Sequence, residues 1–494
     1  MILFIKGLEN NYEIEMLSRM FFPQLKLAED RELSSLCENE DYLFANREIT
    51  GENQQLSITL RRNGEVFSES GSMAADAAER EYNLALSRML YRCAVKSGCD
   101  ELRWGILTGI RPIKLFHALH AKGMTDSEIN AEIKRNYLIS DEMAALAQSV
   151  RKTEHEINKK SLPMGFSLYI SIPFCPQRCS YCSFVSQAVD KMKHLIEPYV
   201  EQLCVELKEF GEIAAKLGLT LQTVYFGGGT PTTLSAPQLT KLFETIAANF
   251  DLSNLLEYTV EAGRPDTIDR ERLLAIKRAG VTRLSVNPQT MNDEVLKTVG
   301  RKHSSAEVVE AFKLAREIGF DNINMDLIAG LPGDTPESFE SSLKRVLALQ
   351  PDNITVHSLT LKRSSTLVEQ GAAEENYRRR EETAIMVDTA RRLICDAGYL
   401  PYYLYRQKNT VGSLDNTGYA KPGKEGLYNI FIMDETHTIL AAGAGAVTKL
   451  KAPFGDDIER IYNYKFPAEY ISRYEILKQR KERVTGFYED HKQV

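Results

Sequence analysis

No apolar stretch of this chain reaches the ~18–20 residues that a membrane span requires, so none is expected. Positive charge is not in excess either. Lys and Arg total 61 against 68 Asp and Glu, a net charge of −7, which excludes a global basic field for nucleic acid. The opening stretch, MILFIKGLENNYEIE, has no basic segment followed by a long apolar core, so it does not read as a secretion signal. Cysteine is scarce. Five of the eight (Cys37, Cys93, Cys99, Cys204 and Cys395) are scattered. That is no disulfide framework for a chain this long, and it suits a reducing cytoplasm. The remainder, 43% hydrophobic and 26% charged, is ordinary for a globular protein. A length of 494 residues suggests about three domains.

The other three cysteines stand together. Phe166 to Gln187 reads FSLYISIPFCPQRCSYCSFVSQ. Leu168, Ile170 and Ile172 alternate as in a strand, and Pro173 ends the run because it cannot donate to a ladder. Cys175, Cys179 and Cys182 follow with C-x3-C-x2-C spacing. Three thiolates this close can converge on one inorganic centre. A four-iron cube held by three cysteines leaves one iron open to a non-protein ligand, which implies oxygen sensitivity. A zinc knuckle is the rival reading, but zinc takes four N or S ligands and no fourth lies nearby.

Around this loop the chain divides into three regions, 1–160, 161–365 and 366–494. In the first, Met1–Lys6, Tyr42–Arg47 and Gln54–Arg62 read as strands, and Asn63-Gly64 marks a hairpin. Ala74–Val95, Asp126–Asn136 and Ser140–Asn158 read as helices, the last capped by Ser140 or Asp141. Trp104–Lys114 (WGILTGIRPIK) is a packed turn or a ligand loop carrying Arg111 and Lys114. His117 and His120, at helical spacing, fit a helix surface. From about Gly165, strands alternate with helices. The strands are Ser167–Ile172, Thr223–Phe226, Glu257–Val260, Arg283–Val286, Asn322–Leu327 and Asn353–His357. The helices are His194–Leu217, Ala236–Asn249, Ile268–Ala279, Ala306–Ile318 and Pro336–Leu349. That rhythm argues for parallel pairing with right-handed crossovers. In the last region Glu374–Ala397 reads as a long charged helix, followed by a tyrosine-rich PYYLYRQKN.

C-x3-C-x2-C with Tyr181 before the last cysteine resembles the signature of radical S-adenosylmethionine (SAM) enzymes. The longer string Y-x-x-x-P-F-C-x3-C-x-Y-C-x-F, opening at Tyr169, is similar to the oxygen-independent coproporphyrinogen III oxidase family. The resemblance implies an α/β fold, a partial (β/α)6 radical SAM barrel between an N-terminal α+β and helical domain and a C-terminal α+β extension. It implies a [4Fe–4S] cluster on Cys175, Cys179 and Cys182, with SAM on the open iron. Tyr169, Tyr181, Gly228, Gly229, Thr230, Glu261, Gln289, Arg301 and Asp326 match cofactor-binding positions. Gly228–Thr230 lie in the GGGTPT loop that takes the SAM amino group, and Glu261 sits where a ribose-binding carboxylate is expected; an ion pair with Arg264 or Arg283 is the structural alternative. No catalytic residue is assigned. YAKPG-like and GAGA-like segments, at Tyr419–Gly423 and Ala442–Ala446, extend the resemblance. Tyr402, Tyr403, Tyr405 and Arg406 either cover a flat polycarboxylate tetrapyrrole or simply pack.

The activity so implied is removal of two propionate carboxylates from coproporphyrinogen III. Each loses a hydrogen atom β to the carboxylate, then CO2 and one electron, and becomes a vinyl. The partners implied are this tetrapyrrole and a low-potential electron donor. The chain departs from the pattern at two places: Ser171 replaces the histidine of Y-x-H, and Phe184 replaces a further cysteine. Serine cannot carry a proton near pH 7 as histidine does. A haem-binding chaperone of the same fold, or a haem-degrading radical methyltransferase, is the alternative. Leu427–Ile432 lacks the histidine of the chaperone's HNxxYW-like segment.

Overall fold

The computed structural model describes residues 1–28, 40–182, 187–360, 379–407 and 414–491. Cys37, Phe184 and the first residues of the expected helix at 374 lie outside them. The chain forms two compact units, Met1–Gln148 and Ser149–Val494.

The first unit holds a five-stranded sheet of order β2-β1-β3-β4-β5. The strands are β1 (Ile2–Lys6), β2 (Lys26–Leu27), β3 (Tyr42–Thr50), β4 (Asn53–Arg62) and β5 (Glu65–Ala74). β1 runs parallel to β2 and β3, and the rest is antiparallel. Asn63 and Gly64 turn the chain between β4 and β5 with φ of 53° and 85°, the left-handed pair a two-residue hairpin needs. The helices are α1 (Tyr12–Phe21), α2 (Glu79–Lys96), α3 (Ile113–Ala121) and α4 (Asp126–Tyr137), while α5 (Asp141–Asn158) begins here and continues into the second unit. α2 starts five residues later than its periodicity suggests, because β5 pairs with β4 as far as Ala74. Ser140 accepts from the Met143 amide at 3.3 Å and so caps α5. Trp104 is buried, and a Cβ on Gly105 (φ 53°) would lie 2.0 Å from the Tyr137 carbonyl. The WGILTGIRPIK segment is thus a packed turn leading into α3.

The second unit is built on an eleven-stranded sheet of order β14-β15-β13-β12-β11-β10-β9-β6-β16-β17-β18. Its first strand, β6 (Gly165–Ile172), is followed by the short β7 (Phe174–Cys175) and β8 (Gln187–Ala188), which pair only with each other. Then come α6 (Val189–Leu217), β9 (Thr220–Gly228), α7 (Ala236–Asn249), β10 (Glu257–Glu261), α8 (Arg270–Arg278) and β11 (Arg283–Ser285). A short α9 (Asp293–Thr298), not evident in the periodicity, precedes α10 (Ser305–Ile318), β12 (Ile323–Ala329), α11 (Pro336–Ala348) and β13 (Asn353–Ser358). β6, β9, β10, β11, β12 and β13 are parallel neighbours in chain order. A sheet with no reversal of order is singly wound, as in a barrel, not doubly wound with a switch point.

The sheet does not stop where the expected barrel does. β15 (Asp415–Ala420) adds antiparallel to β13, and β14 (Leu400–Arg406) to β15. At the other edge β16 (Thr438–Ala442) adds parallel to β6, then β17 (Val447–Lys451) and β18 (Ile458–Tyr462) follow antiparallel. The last third therefore extends both edges of the barrel sheet, which leaves neither outer barrel strand unpaired.

Strand alternation sorts the two faces. Phe166, Leu168, Ile170, Ile172, Val224, Phe226, Val260, Leu284, Met325 and Ile354 join one apolar core with the helices. The residues between them are Ser167, Tyr169, Thr223, Tyr225, Glu257, Thr259, Glu261, Arg283, Ser285, Asn324, Asp326, Asn353, Thr355 and His357. Polar side chains buried in one face need partners, and these find one another. Ser167 and Thr223 hydroxyls meet at 2.6 Å, Asn324 donates to Ser285 at 2.9 Å, and Thr355 donates to Asn324 at 3.1 Å.

Candidate functional site

Parallel strands deliver their C-terminal ends to one side of the sheet, and Cys175, Gly228 and Glu261 lie at those ends. Cys175 closes β7, Glu261 ends β10, and Asp326 is the fourth residue of β12. β9 runs through Gly228 instead of ending at Phe226, with Gly227 and Gly228 paired to Ser171 and Ile172. The glycines therefore lie directly beside the strand that leads to the cysteines. Gly228 has φ of 103°, a conformation that favours glycine. The Gly229 amide donates to the Ile172 carbonyl at 2.7 Å and the Thr230 amide to the Phe174 carbonyl at 2.8 Å.

The cysteine loop leaves at β7 and returns at β8, and that pairing closes its base. Cys175 and Cys179 are buried and Cys182 is half-buried. The Thr230 hydroxyl lies 3.4 Å from the Cys175 sulfur, the Cys182 amide donates to the Cys179 carbonyl at 3.1 Å, and Ser180 donates to the Val299 carbonyl. A Cβ on Gly229 would stand 2.6 Å from the Phe174 carbonyl and 3.0 Å from the Cys175 sulfur. Glycine here lets the backbone of the glycine run approach the cysteine loop this closely. Among the described residues, no group of three Cys, His, Asp or Glu ligand atoms within 4.8 Å contains these cysteines. A single zinc, with Zn–S bonds of about 2.3 Å, would draw its sulfurs to about 4 Å of one another. A cube, in which each sulfur binds a different iron, needs them wider apart. The donor set, three thiols on one short loop, fits a cluster.

Gln289 and Asp326 come together through the backbone. The Gln289 amide donates to the Asp326 carbonyl at 2.9 Å, and Ile328 donates back to Gln289 at 2.9 Å. Gln289 is left-handed at φ 66°, and its Oε1 is buried without a partner. Arg301 donates to the Asn287 carbonyl at 2.8 Å, and its Nε is likewise buried without a partner. Tyr181 and Cys179 lie close to its guanidinium. Buried polar atoms left open beside a thiol loop are the atoms a polar ligand would satisfy. Tyr181 packs on Val295, Val299, Ile328, Leu331 and Leu359, so its ring braces the loop.

Tyr169 stacks with Tyr225 (centroids 6.1 Å) and with Tyr428, which stacks on Tyr225 at 4.4 Å. The Tyr225 hydroxyl donates to Glu261 at 2.5 Å. Burial pushes the Glu261 carboxyl up to about 7; the Tyr225 hydrogen bond opposes this and the Asp326 charge adds to it. Burial would raise Asp326 too, but the neighbouring His357 imidazole and the hydrogen bond from Asn324 at 2.7 Å more than offset it, and its carboxyl lies below the usual value. Two neighbouring carboxyls are thus driven apart in acidity.

Some expectations change. Glu261 pairs with Tyr225, and Arg264 instead grips Asp266 through two bonds of 3.0 and 3.1 Å. Tyr402 and Tyr403 are buried with Ile157, Ala420, Ile430 and Phe431, so they pack and do not cover a ligand. Arg406 is buried as well. Tyr405 stays half-exposed, its hydroxyl 3.4 Å from His357 Nδ1, whose Nε2 lies 3.9 Å from Asp326. His357, Tyr225, Tyr428 and Arg264 were not assigned to the site by sequence. His357 and Tyr225 occupy inward strand positions, a signal that alternation carries; Tyr428 and Arg264 arrive by tertiary packing alone.

Ser171 faces backbone. Its hydroxyl donates to the Ala444 carbonyl at 2.8 Å, while Tyr199 donates to the Ser171 carbonyl at 2.7 Å. Gly443, at φ 98°, closes over it, and a Cβ there would lie 2.5 Å from the Ser171 carbonyl. Glu206 holds this GAGA-like loop through the Gly443 amide (2.7 Å), Tyr470 (2.5 Å) and Asn463 (2.9 Å).

Compared with known proteins, residues 169–346 match the model of the radical SAM superfamily. The chain is 40% identical over 376 residues, 76% of its own length and 75% of the relative's, to the oxygen-independent coproporphyrinogen-III oxidase-like protein HemZ of Bacillus subtilis. It is 31% identical to the heme chaperone HemW of Escherichia coli over 58% of this chain and 71% of that one. Coproporphyrinogen III oxidase (HemN) from Escherichia coli shares the fold, with a TM-score of 0.52 at 23% identity, over 66% of this chain and 72% of that one. No helix among the described residues is long and apolar enough to cross a membrane.

Proposed function

The chain belongs to the coproporphyrinogen-III oxidase-like branch of the radical SAM superfamily, and on that premise we propose that it decarboxylates coproporphyrinogen III oxidatively, without oxygen, to protoporphyrinogen IX. Its cofactors are those of the superfamily, a [4Fe–4S] cluster and SAM. When bound, they supply one-electron reductive cleavage that generates a hydrogen-atom abstractor. Cys175, Cys179 and Cys182 hold the cluster. Gly228, Gly229 and Thr230 present backbone to the SAM amino group, and Glu261 takes the ribose. Gln289, Arg301, Asp326, Tyr169 and Tyr181 complete the cofactor's surroundings.

The observation that carries this reading is the convergence of the cysteine loop, the glycine strand end and the divergent carboxyls Glu261 and Asp326 at one end of the barrel. Asp326 stays ionised and accepts hydrogen bonds. Glu261, titrating near neutrality, holds or gives up a proton at the carboxyl oxygen that does not accept from Tyr225. That supplies a titratable group at a mouth where Ser171 supplies none.

The chaperone reading draws on the HemW likeness. Against it, Leu427–Asp434 is a helix whose first amides, Leu427 and Tyr428, donate to Glu257 at 2.6 and 3.2 Å. It packs onto the barrel and offers no histidine. Anaerobic incubation of reconstituted protein with SAM, a reductant and coproporphyrinogen III decides the matter. Release of CO2 with vinyl product is the expected result. Stoichiometric haem binding without turnover would replace it with the chaperone reading, and conversion of haem to an open-chain product with a haem-degrading one.

A further inference from the structure

We propose that Arg264 is a positioning residue for the cluster: it pins the cysteine loop and sets a fixed positive charge against the Cys179 sulfur, so that it governs both cluster retention and reduction potential. This rests on the reading that the loop holds a [4Fe–4S] cluster.

Arg264 is 3% exposed, and a guanidinium so buried must be paired. Nε and Nη2 meet the two carboxylate oxygens of Asp266 at 3.0 and 3.1 Å, the two-pronged geometry that arginine suits. That leaves Nη1, which turns to the cysteine loop. It donates to the Gln177 carbonyl at 3.1 Å and reaches the Cys179 sulfur at 4.0 Å. Gln177 lies midway between Cys175 and Cys179, so one side chain holds both the path of the loop and one ligand.

The backbone of Arg264 ties in the third party. Its carbonyl accepts from the Thr267 amide at 3.0 Å and the Thr267 hydroxyl at 2.8 Å. That hydroxyl lies 2.6 Å from the Thr232 hydroxyl, in the segment that follows the three glycines. Arg264 also stands three residues beyond Glu261. A single turn after β10 thereby couples the cysteine loop, the glycine segment and the carboxylate that ends the strand.

A polar residue could hold the Gln177 carbonyl; only a cation adds charge at the sulfur. Reduction adds one electron to the centre, and net charge and hydrogen bonds to the sulfurs set such potentials. A fixed cation therefore favours the reduced state. Lysine keeps charge but cannot span Asp266 and Gln177 together.

The test uses full-length wild-type, R264Q and R264K protein, reconstituted anaerobically. It measures iron and sulfide per chain, the half-life of iron loss to a chelator, and the midpoint potential by EPR-monitored titration. R264Q should lose iron several-fold faster, and its potential should move more negative. R264K should lose iron faster at a potential close to wild type. Wild-type retention and potential in R264Q overturn the proposal. Should R264Q not fold, R264K decides, since wild-type retention there overturns it equally. Wild-type protein that takes up no iron would instead refute the cluster reading beneath it.

Discussion

Single side chains set the acid–base character of the site. The Glu261 carboxyl, at about 7 in the fold, binds protons that the unfolded chain releases near pH 4.5. Stability is therefore lost as pH rises from about 4.5 to 7 and is level above that. Glu261→Gln keeps an acceptor for Tyr225 and removes the charge. The variant should melt higher than wild type at pH 8, with a gap on the order of 2–3 kcal/mol, and the gap should close toward pH 4.5. A gap that does not change with pH in thermal melts would contradict the assignment. Ser171 illustrates the opposite case, a position without room. Its Oγ would be 3.0 Å from a Gly228 Cβ and its Cβ 3.2 Å from a Gly443 Cβ. Ser171→His should cost about 1–3 kcal/mol through overpacking and should not raise turnover; a variant of wild-type melting temperature with faster vinyl formation would show that the position does accept a proton carrier.

Among the elements, two short pieces place the site. The first is the edge where β9 meets β6. Gly229→Ala would drive a methyl toward the Phe174 and Ile172 carbonyls, at 2.6 and 2.9 Å, and the Cys175 sulfur. Iron per chain after reconstitution should fall well below wild type while circular dichroism stays unchanged. Unaltered iron would mean that the loop moves freely. The second is the helix Leu427–Asp434, whose first amides donate to Glu257. A carboxylate at a helix N-terminus also meets the positive end of the helix dipole. Glu257→Ala should cost about 1–2 kcal/mol, and amide exchange at 427 and 428 should accelerate while β6 and β9 stay protected. The elements themselves were largely legible. Ser167–Ile172, Glu257–Val260 and Asn353–His357 appear within a residue or two of their expected limits, because both faces of a buried parallel strand are constrained. α2 starts five residues after the expected Ala74 because Ala74 is paired in β5, and pairing is not written in local periodicity.

At the scale of the molecule, each unit has its own apolar core, and the cysteines and carboxyls lie in Ser149–Val494. Calorimetry should resolve two transitions. With the cluster in place, SAM at a hundred times its Kd should stabilise the transition of the second unit by about 2.7 kcal/mol and leave the first unmoved. A shift of both together would contradict this. What the sequence determined by itself was the set of chemistry-bearing motifs and the strand–helix rhythm. The C-x3-C-x2-C loop, the glycine run and Glu261 are local, and their spacing is fixed by covalent chain. Only the tertiary structure decided that β14–β18 continue the barrel sheet at both edges, that Tyr402 and Tyr403 pack, and that Arg264 reaches Cys179. Those contacts join residues far apart in the chain. Which of them forms depends on which buried donors and acceptors the fold brings within hydrogen-bond reach, and no local pattern of residues encodes that.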